Sequence, residues 1–209
     1  MTSATPAARH GDPVYSKGDV RNMTSARQLS TEELEQGLDA ILQSPTDNGV
    51  LELIVRRPAV DEREVVTEGT LDCEQGLVGD NWLSRGCRHM PDGAADPEMQ
   101  LNIMNARIVA LVADDPERRP LAGDQLYLDM DLSPDNLPPG TRLAIGDAII
   151  EVTEPPHTGC KKFAARFGKD AILFVNTGVG KKMNFRGINA KVIQSGGIRT
   201  GDVARKLTA

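Results

Sequence analysis

Residues 29–209 read as a single domain of mostly β (α+β) type, a barrel of short strands with a few short helices at its periphery. Three features of the sequence lead there. Short apolar runs are bounded repeatedly by Gly, Pro, Asn or Asp, the punctuation of strands and turns. Only two or three segments carry helical spacing, and each is short. Strands and helices do not alternate in a βαβ rhythm and no segment repeats at a fixed period, which leaves a barrel rather than a parallel sheet or a solenoid.

Along the chain, residues 1–28 mix Pro, Ser, Thr, Gly and charges without periodicity, so a disordered or loosely attached tail is expected. Ser30 with Glu33 makes a capping box, after which Leu34, Leu38, Ile41 and Leu42 share one helical face as far as Ser44-Pro45. Residues 50–57, 65–71 and 100–104 read as strands, the last followed by a short helix marked by Ile108, Leu111 and Val112. A hairpin spans residues 142–153, and Gly146-Asp147 at its tip, with Gly first, suits a type II′ turn. From Cys160 onward Phe163 and Phe167 have helical spacing, and Gly168 would stop that helix. Residues 188–194 form a last strand before Gly196-Gly197.

The composition narrows the function. The longest apolar runs are far too short for a membrane span, and the polar first 27 residues hold no apolar core for secretion, so a cytoplasmic protein is expected. The three cysteines, Cys73, Cys87 and Cys160, contain no CxxC pair, which argues against a disulfide framework and against zinc. A net charge of −6 argues against bulk nucleic-acid binding. That average hides a segregation: residues 155–209 carry eleven basic residues against Asp170 and Asp202, a formal +9, so residues 1–154 carry −15. The basic quarter either pairs with the acidic body or forms a pocket for an anionic ligand.

Cys160 has the most suggestive surroundings of the three thiols, Pro155-Pro156-His157-Thr158-Gly159-Cys160-Lys161-Lys162. A thiol that starts a helix beside two lysines is a candidate nucleophile, sulfur carrier or soft-metal ligand; the alternative is a buried structural cysteine. His157 is a candidate acid, base or second ligand, or a turn-capping residue. Thr158 is an orienting candidate, and Lys161, Lys162 and Arg186 are candidate anion contacts, with Asp80 in the turn Gly76-Leu77-Val78-Gly79-Asp80 added to them. A zinc site combining Cys73, Cys87, His89, His157 and Cys160 matches none of the usual spacings. Neither the 76–80 turn nor Gly178-Val179-Gly180-Lys181-Lys182 is a Walker motif.

Together these pieces resemble the MOSC domain, the module named for the C-terminal portion of molybdenum-cofactor sulfurases. The carriers are the 76–80 turn, Gly123-Asp124-Gln125-Leu126, the hairpin from Arg142 through Glu151-Val152-Thr153 to Cys160, and the close Arg186-Gly187-Ile188-Asn189-Ala190-Lys191-Val192 to Gly201-Asp202. The resemblance runs from about Val50 to Leu207 and implies a MOSC-like barrel that binds the molybdenum cofactor (molybdopterin), with Cys160 as metal ligand and catalytic residue beside His157. It further implies reduction of small N-hydroxylated substrates, with electrons from an external donor protein. Two other roles stay open: a persulfide carrier on Cys160 served by a sulfur donor, and a non-catalytic cofactor-binding module. Amidoxime reducers and sulfurases carry a large domain ahead of this one, whose cofactor contacts are expected to be absent or replaced here. Small relatives often read Gly-Glu-Asn where this chain has Gly123-Asp124-Gln125.

Overall fold

The computed structural model describes residues 13–16, 18–19, 27–87 and 89–207. Among them are β1 (Val14–Tyr15), β2 (Gly49–Arg56), β3 (Arg63–Val66), β4 (Glu68–Asp72), β5 (Gly76–Leu77), β6 (Leu101–Asn105), β7 (Leu126–Asp129), β8 (Arg142–Ile145), β9 (Ala148–Val152), β10 (Ile188–Gln194), β11 (Gly196–Arg199) and β12 (Val203–Lys206). Seven of these close a barrel in the order β2-β12-β8-β9-β10-β6-β7 and back to β2. Closure leaves the ring without a free edge. All pairs in it are antiparallel except β6 with β7, and that parallel pair is joined by a helical crossover.

Period-two patterning explains which face turns inward. In β8 and β9, Leu143, Ile145, Ala148, Ile150 and Val152 are buried, while Arg142 and Glu151 on the opposite face pair with each other. The β8–β9 turn is two residues long, with Ile145 opposite Ala148 and Gly146 at φ 55°, as the type II′ reading requires. β6 is buried at every position because its two faces serve two cores. Leu101 and Ile103 face the barrel interior, and Met104 joins a second core beneath the helices.

Those helices are α1 (Thr31–Gln36), α2 (Leu38–Leu42), α3 (Trp82–Arg85), α4 (Ala106–Ala113), α5 (Lys161–Phe167), α6 (Lys169–Asn176) and α7 (Gly178–Lys182). The Ser30–Glu33 capping box is present, but the expected amphipathic helix is divided at Gly37 into α1 and α2. α5 to α7 take up consecutive stretches of chain and bury Phe163, Phe167, Ala171 and Val175 against the barrel. No helix among the described residues is long and apolar enough to cross a membrane.

Some expected elements differ. The run 65–71 is two strands in two sheets: β3 pairs with β2, whereas β4 pairs with β11 and β5. The segment 178–182, which lacks the Walker spacing, is helical. Most of the expected tail lies outside the described residues; of the rest, Val14 and Tyr15 pair with Glu64 and Arg63 of β3.

Candidate active site

A cleft of about 340 Å³ opens between one rim of the barrel and the helical layer. It is built where chain segments leave the barrel. Arg57 follows the end of β2, Arg63 starts β3, Gly123 precedes β7, and Arg186 precedes β10. After β9 the pair Pro155-Pro156, which cannot donate to a ladder, carries the chain along the cleft past His157 and Thr158 to Cys160. Cys160 is exposed, lines the cleft and is the N-cap residue of α5 in extended conformation. It is therefore not a packed core cysteine.

His157 is fixed from behind. Its Nε2 lies 2.6 Å from Oδ1 of Asp124, and both Asp124 oxygens accept from Nη1 of Arg186 at 2.8 Å. Burial alone would raise the Asp124 carboxyl, but the Arg186 guanidinium and His157 beside it reverse this and hold it well below the usual carboxylate range. Burial, reinforced by Arg186, lowers the imidazole of His157 despite the opposing pull of Asp124. A neutral ring whose Nε2 touches a carboxylate must carry its proton there. Nδ1 thus keeps a lone pair on a ring that lines the cleft, and it has no hydrogen-bond partner among the described residues.

Five arginines and Lys162 line the cleft, against Asp61 and Asp96. Most of these cations are already engaged. Arg57 grips Asp80 through Nε and Nη2 at 2.8 Å each, and its Nη1 donates to Asn102 Oδ1 and the Gly123 carbonyl at 2.9 Å. Lys162 and Arg166 share Oδ1 of Asp61 at 2.9 Å. Arg186 is spent on Asp124, on the carbonyl of Ala122 at 3.1 Å and on the ring of Phe163 at 5.0 Å.

Arg63 and Arg85 are the exceptions, and Arg63 is the buried one. It is only 6% exposed and forms no ion pair with any described residue. Its Nε and Nη1 donate to the carbonyls of Pro120 and Glu62, which leaves Nη2 unpartnered. Burial first, and then Arg166, lower its guanidinium to about 10, so it stays charged at neutral pH. Gly123 stands before it at φ 93°, where a Cβ would lie 3.5 Å from Arg63 Nη2 and 3.8 Å from Arg166 Nη1. The missing side chain leaves both guanidinium groups open to the cleft.

The cleft thus unites Cys160, His157, Thr158, Lys162 and Arg186 from among the residues singled out in the sequence. Lys161 is exposed but does not line it. Asp80 sits one layer behind, its carboxylate fully buried under Arg57 and capping the Trp82 amide at 2.9 Å. Arg57, Arg63, Asp124 and Cys87 enter the site without having been singled out for it. Only Asp124 had a sequence signal, in Gly123-Asp124-Gln125. Cys73 is exposed and bonds Ser195 Oγ at 3.4 Å. No three His, Cys, Asp or Glu side chains converge as a metal-binding group among the described residues.

The MOSC domain family model matches residues 95–205, more than half of the chain, and the chain belongs to this family. The family is associated with molybdenum-cofactor binding. Among solved structures the chain is similar to the YuaD protein from Bacillus subtilis, with 17% identity and a TM-score of 0.50 over 75% of this chain and 93% of that one. It is similar too to a structure described as a hypothetical protein, with 23% identity and a TM-score of 0.50 over 77% of this chain and 69% of that one. YiiM from Escherichia coli aligns with 21% identity and a TM-score of 0.48, covering 77% and 70% of the two chains. At these identities the likeness concerns the fold. None of the curated proteins matches the chain.

Proposed function

We propose that this cleft holds the molybdenum cofactor, with Cys160 as protein ligand, and reduces N-hydroxylated compounds. The observation that carries the reading is the presence, in one cleft, of an exposed thiol and a buried guanidinium that forms no ion pair with any described residue. The residues fit the group. A soft thiolate suits molybdenum, and Arg63 Nη2, opened by Gly123, is an orphaned donor for the pterin phosphate, with Arg85 as a further unpaired cation on the lining. Bound there, the cofactor would supply the two-electron redox chemistry.

The chain's own part is positioning and proton supply. Reduction of R–NH–OH to R–NH2 and water breaks the N–O bond and takes up two electrons and two protons. His157 is placed to relay a proton: Nδ1, unprotonated at rest, takes one from solvent and passes it to the departing oxygen, while Asp124 accepts from Nε2 and stabilises the transient imidazolium. Arg186 keeps Asp124 ionised for that task. In this arrangement Arg186 is a positioning residue, not an anion contact.

The test is anaerobic reduction of an amidoxime by protein from a molybdenum-replete host, with reduced viologen as electron source and the amine quantified. Amine formation by the wild type and its loss in Cys160→Ala are expected; equal product from both proteins refutes the reading. Cys87 on the same cleft supports a second one, a persulfide formed on Cys160 and passed on by thiol exchange. That reading predicts that a persulfide donor, whose outer sulfur is attacked by the Cys160 thiolate while its inner sulfur leaves as a thiol, adds about 32 Da to the wild type and nothing to Cys160→Ala.

A further inference from the structure

The strap of chain from β9 to α5, which carries His157 and Cys160, has few backbone partners. Among the described residues, the only bonded backbone groups between Thr153 and Cys160 are the Pro155 carbonyl and the N–H and carbonyl of Gly159. Side chains therefore hold it. At one end Asn189 of β10 donates from Nδ2 to the Pro155 carbonyl at 2.9 Å, and its Oδ1 accepts from Nδ2 of Asn102, directly across on β6, at 2.7 Å. Asn189 is fully buried, so this anchor belongs to the barrel. In the middle, Asp124 holds His157. That leaves the end that bears the thiol.

There one side chain, Asn176 at the end of α6, makes both contacts. Gly159 N donates to Asn176 Oδ1 at 2.8 Å, and Asn176 Nδ2 donates to the Gly159 carbonyl at 3.1 Å. A carboxamide meets the two groups at once, whereas a carboxylate would lack the donor. Residue 159 must also be small: a Cβ there would lie 3.1 Å from Asn176 Nδ2 and 3.2 Å from its Oδ1, closer than ordinary van der Waals contact. The helix that carries Asn176 is itself fixed, because Ala171 and Val175 of α6 are buried in the second core. The residue next to Cys160 is thereby tied to a packed helix.

We infer that Asn176 is a positioning residue for Cys160, acting through both backbone groups of Gly159 to hold the thiol at the cleft; the inference rests on the reading of Cys160 as metal ligand given above. Asn176 does not line the cleft and so has no part in binding substrate. Its effect falls on geometry, and a misplacement of about 1 Å at a reacting group costs about a hundredfold in rate.

The test compares the full chain with Asn176→Ala, with Gly159→Ala, which displaces the amide without removing it, and with Leu173→Ala, an exposed control on the same helix. In the metal-free proteins, peptide mass spectrometry reads the rate at which Cys160 reacts with a maleimide bearing a polyethylene-glycol chain, too bulky to enter the cleft freely. Cys73, exposed beside Ser195, is the reference within the same molecule. Relative to Cys73, Cys160 should react at least about threefold faster in Asn176→Ala, faster also in Gly159→Ala, and at the wild-type rate in Leu173→Ala. In the molybdenum-loaded proteins, kcat for the amidoxime per metal bound should fall at least about tenfold in Asn176→Ala with KM unchanged. Equal rate ratios in the wild type and Asn176→Ala overturn the inference, as does the same change in Leu173→Ala. A raised KM with kcat unchanged overturns it too. If Asn176→Ala does not fold, Gly159→Ala decides by the same ratios. Absence of amidoxime reduction from the wild type would refute the proposed function, a result distinct from failure of the clamp, which the metal-free thiol rates read alone.

Discussion

Two arginines in one cleft do opposite work, and substitution separates them. Arg186 neutralises a fully buried carboxylate, so Arg186→Met leaves Asp124 buried without its guanidinium counter-charge, held by His157 alone, and should cost about 3–5 kcal/mol in denaturant unfolding. Arg63 has no carboxylate to abandon, and Arg63→Gln should cost only about 1–2 kcal/mol from two weakened carbonyl contacts, while releasing the cofactor on gel filtration. A stable Arg186→Met, or an Arg63→Gln protein that keeps the cofactor, contradicts this division. His157 supplies a pH signature. Its native imidazole lies below the ordinary value of 6.5, so the unfolded chain binds the extra proton first as pH falls through 6.5. The stability that the neutral ring contributes is complete above 6.5 and is lost below it. Melting temperatures should therefore drop in mildly acidic buffer, and His157→Gln should flatten that part of the profile. Of these side chains, Cys160, His157 and Thr158 were readable in the sequence, because a thiol after Pro-Pro, opening a helix between two strands, is a local pattern. Arg63 was not. Within Asp61-Glu62-Arg63-Glu64 it reads as one more polar residue, and its burial comes from packing on the turn at residues 116–122.

Short segments, rather than whole strands, set the shape of the cleft. Gly123 is the clearest case, since its φ of 93° disfavours side chains and the space before Arg63 depends on it. Gly123→Val should cost about 1–3 kcal/mol from backbone strain and lower cofactor retention, whereas Gly140→Val, also at positive φ but with open space around it, should show the strain alone. Equal retention in both variants would mean that the gap before Arg63 does not hold the ligand. Elements with strong local signals were the ones foreseen: the 142–153 hairpin, β10, the α5 helix and the Ser30–Glu33 cap. β7, β11 and β12, each four residues long, were missed. β11 begins Gly-Gly and β12 carries two charges in four positions, so neither shows the alternation that marks a strand. The run 65–71 merged two strands because period two does not record a change of sheet at Thr67.

Across the molecule, the basic last quarter and the acidic body are partly partners. Arg186 with Asp124, Arg166 and Lys162 with Asp61, and Lys191 with Glu98 tie the two together through ion pairs. None of the unpaired cations that line the cleft comes from the basic quarter: Lys162, Arg166 and Arg186 are paired there, and Arg63 and Arg85 belong to the acidic body. Barrel closure is the frame for this: it brings Arg57 and Arg63 from the acidic body against Gly123 and the segment 157–160, which are far apart in sequence. The most direct measurement is X-ray absorption at the molybdenum edge on protein from a molybdenum-replete host, beside its Cys160→Ser variant. The wild type should hold molybdenum, and the variant should show one sulfur neighbour fewer on the metal or no metal at all. Identical sulfur coordination in the two proteins, or a wild type free of molybdenum, would contradict the site as described.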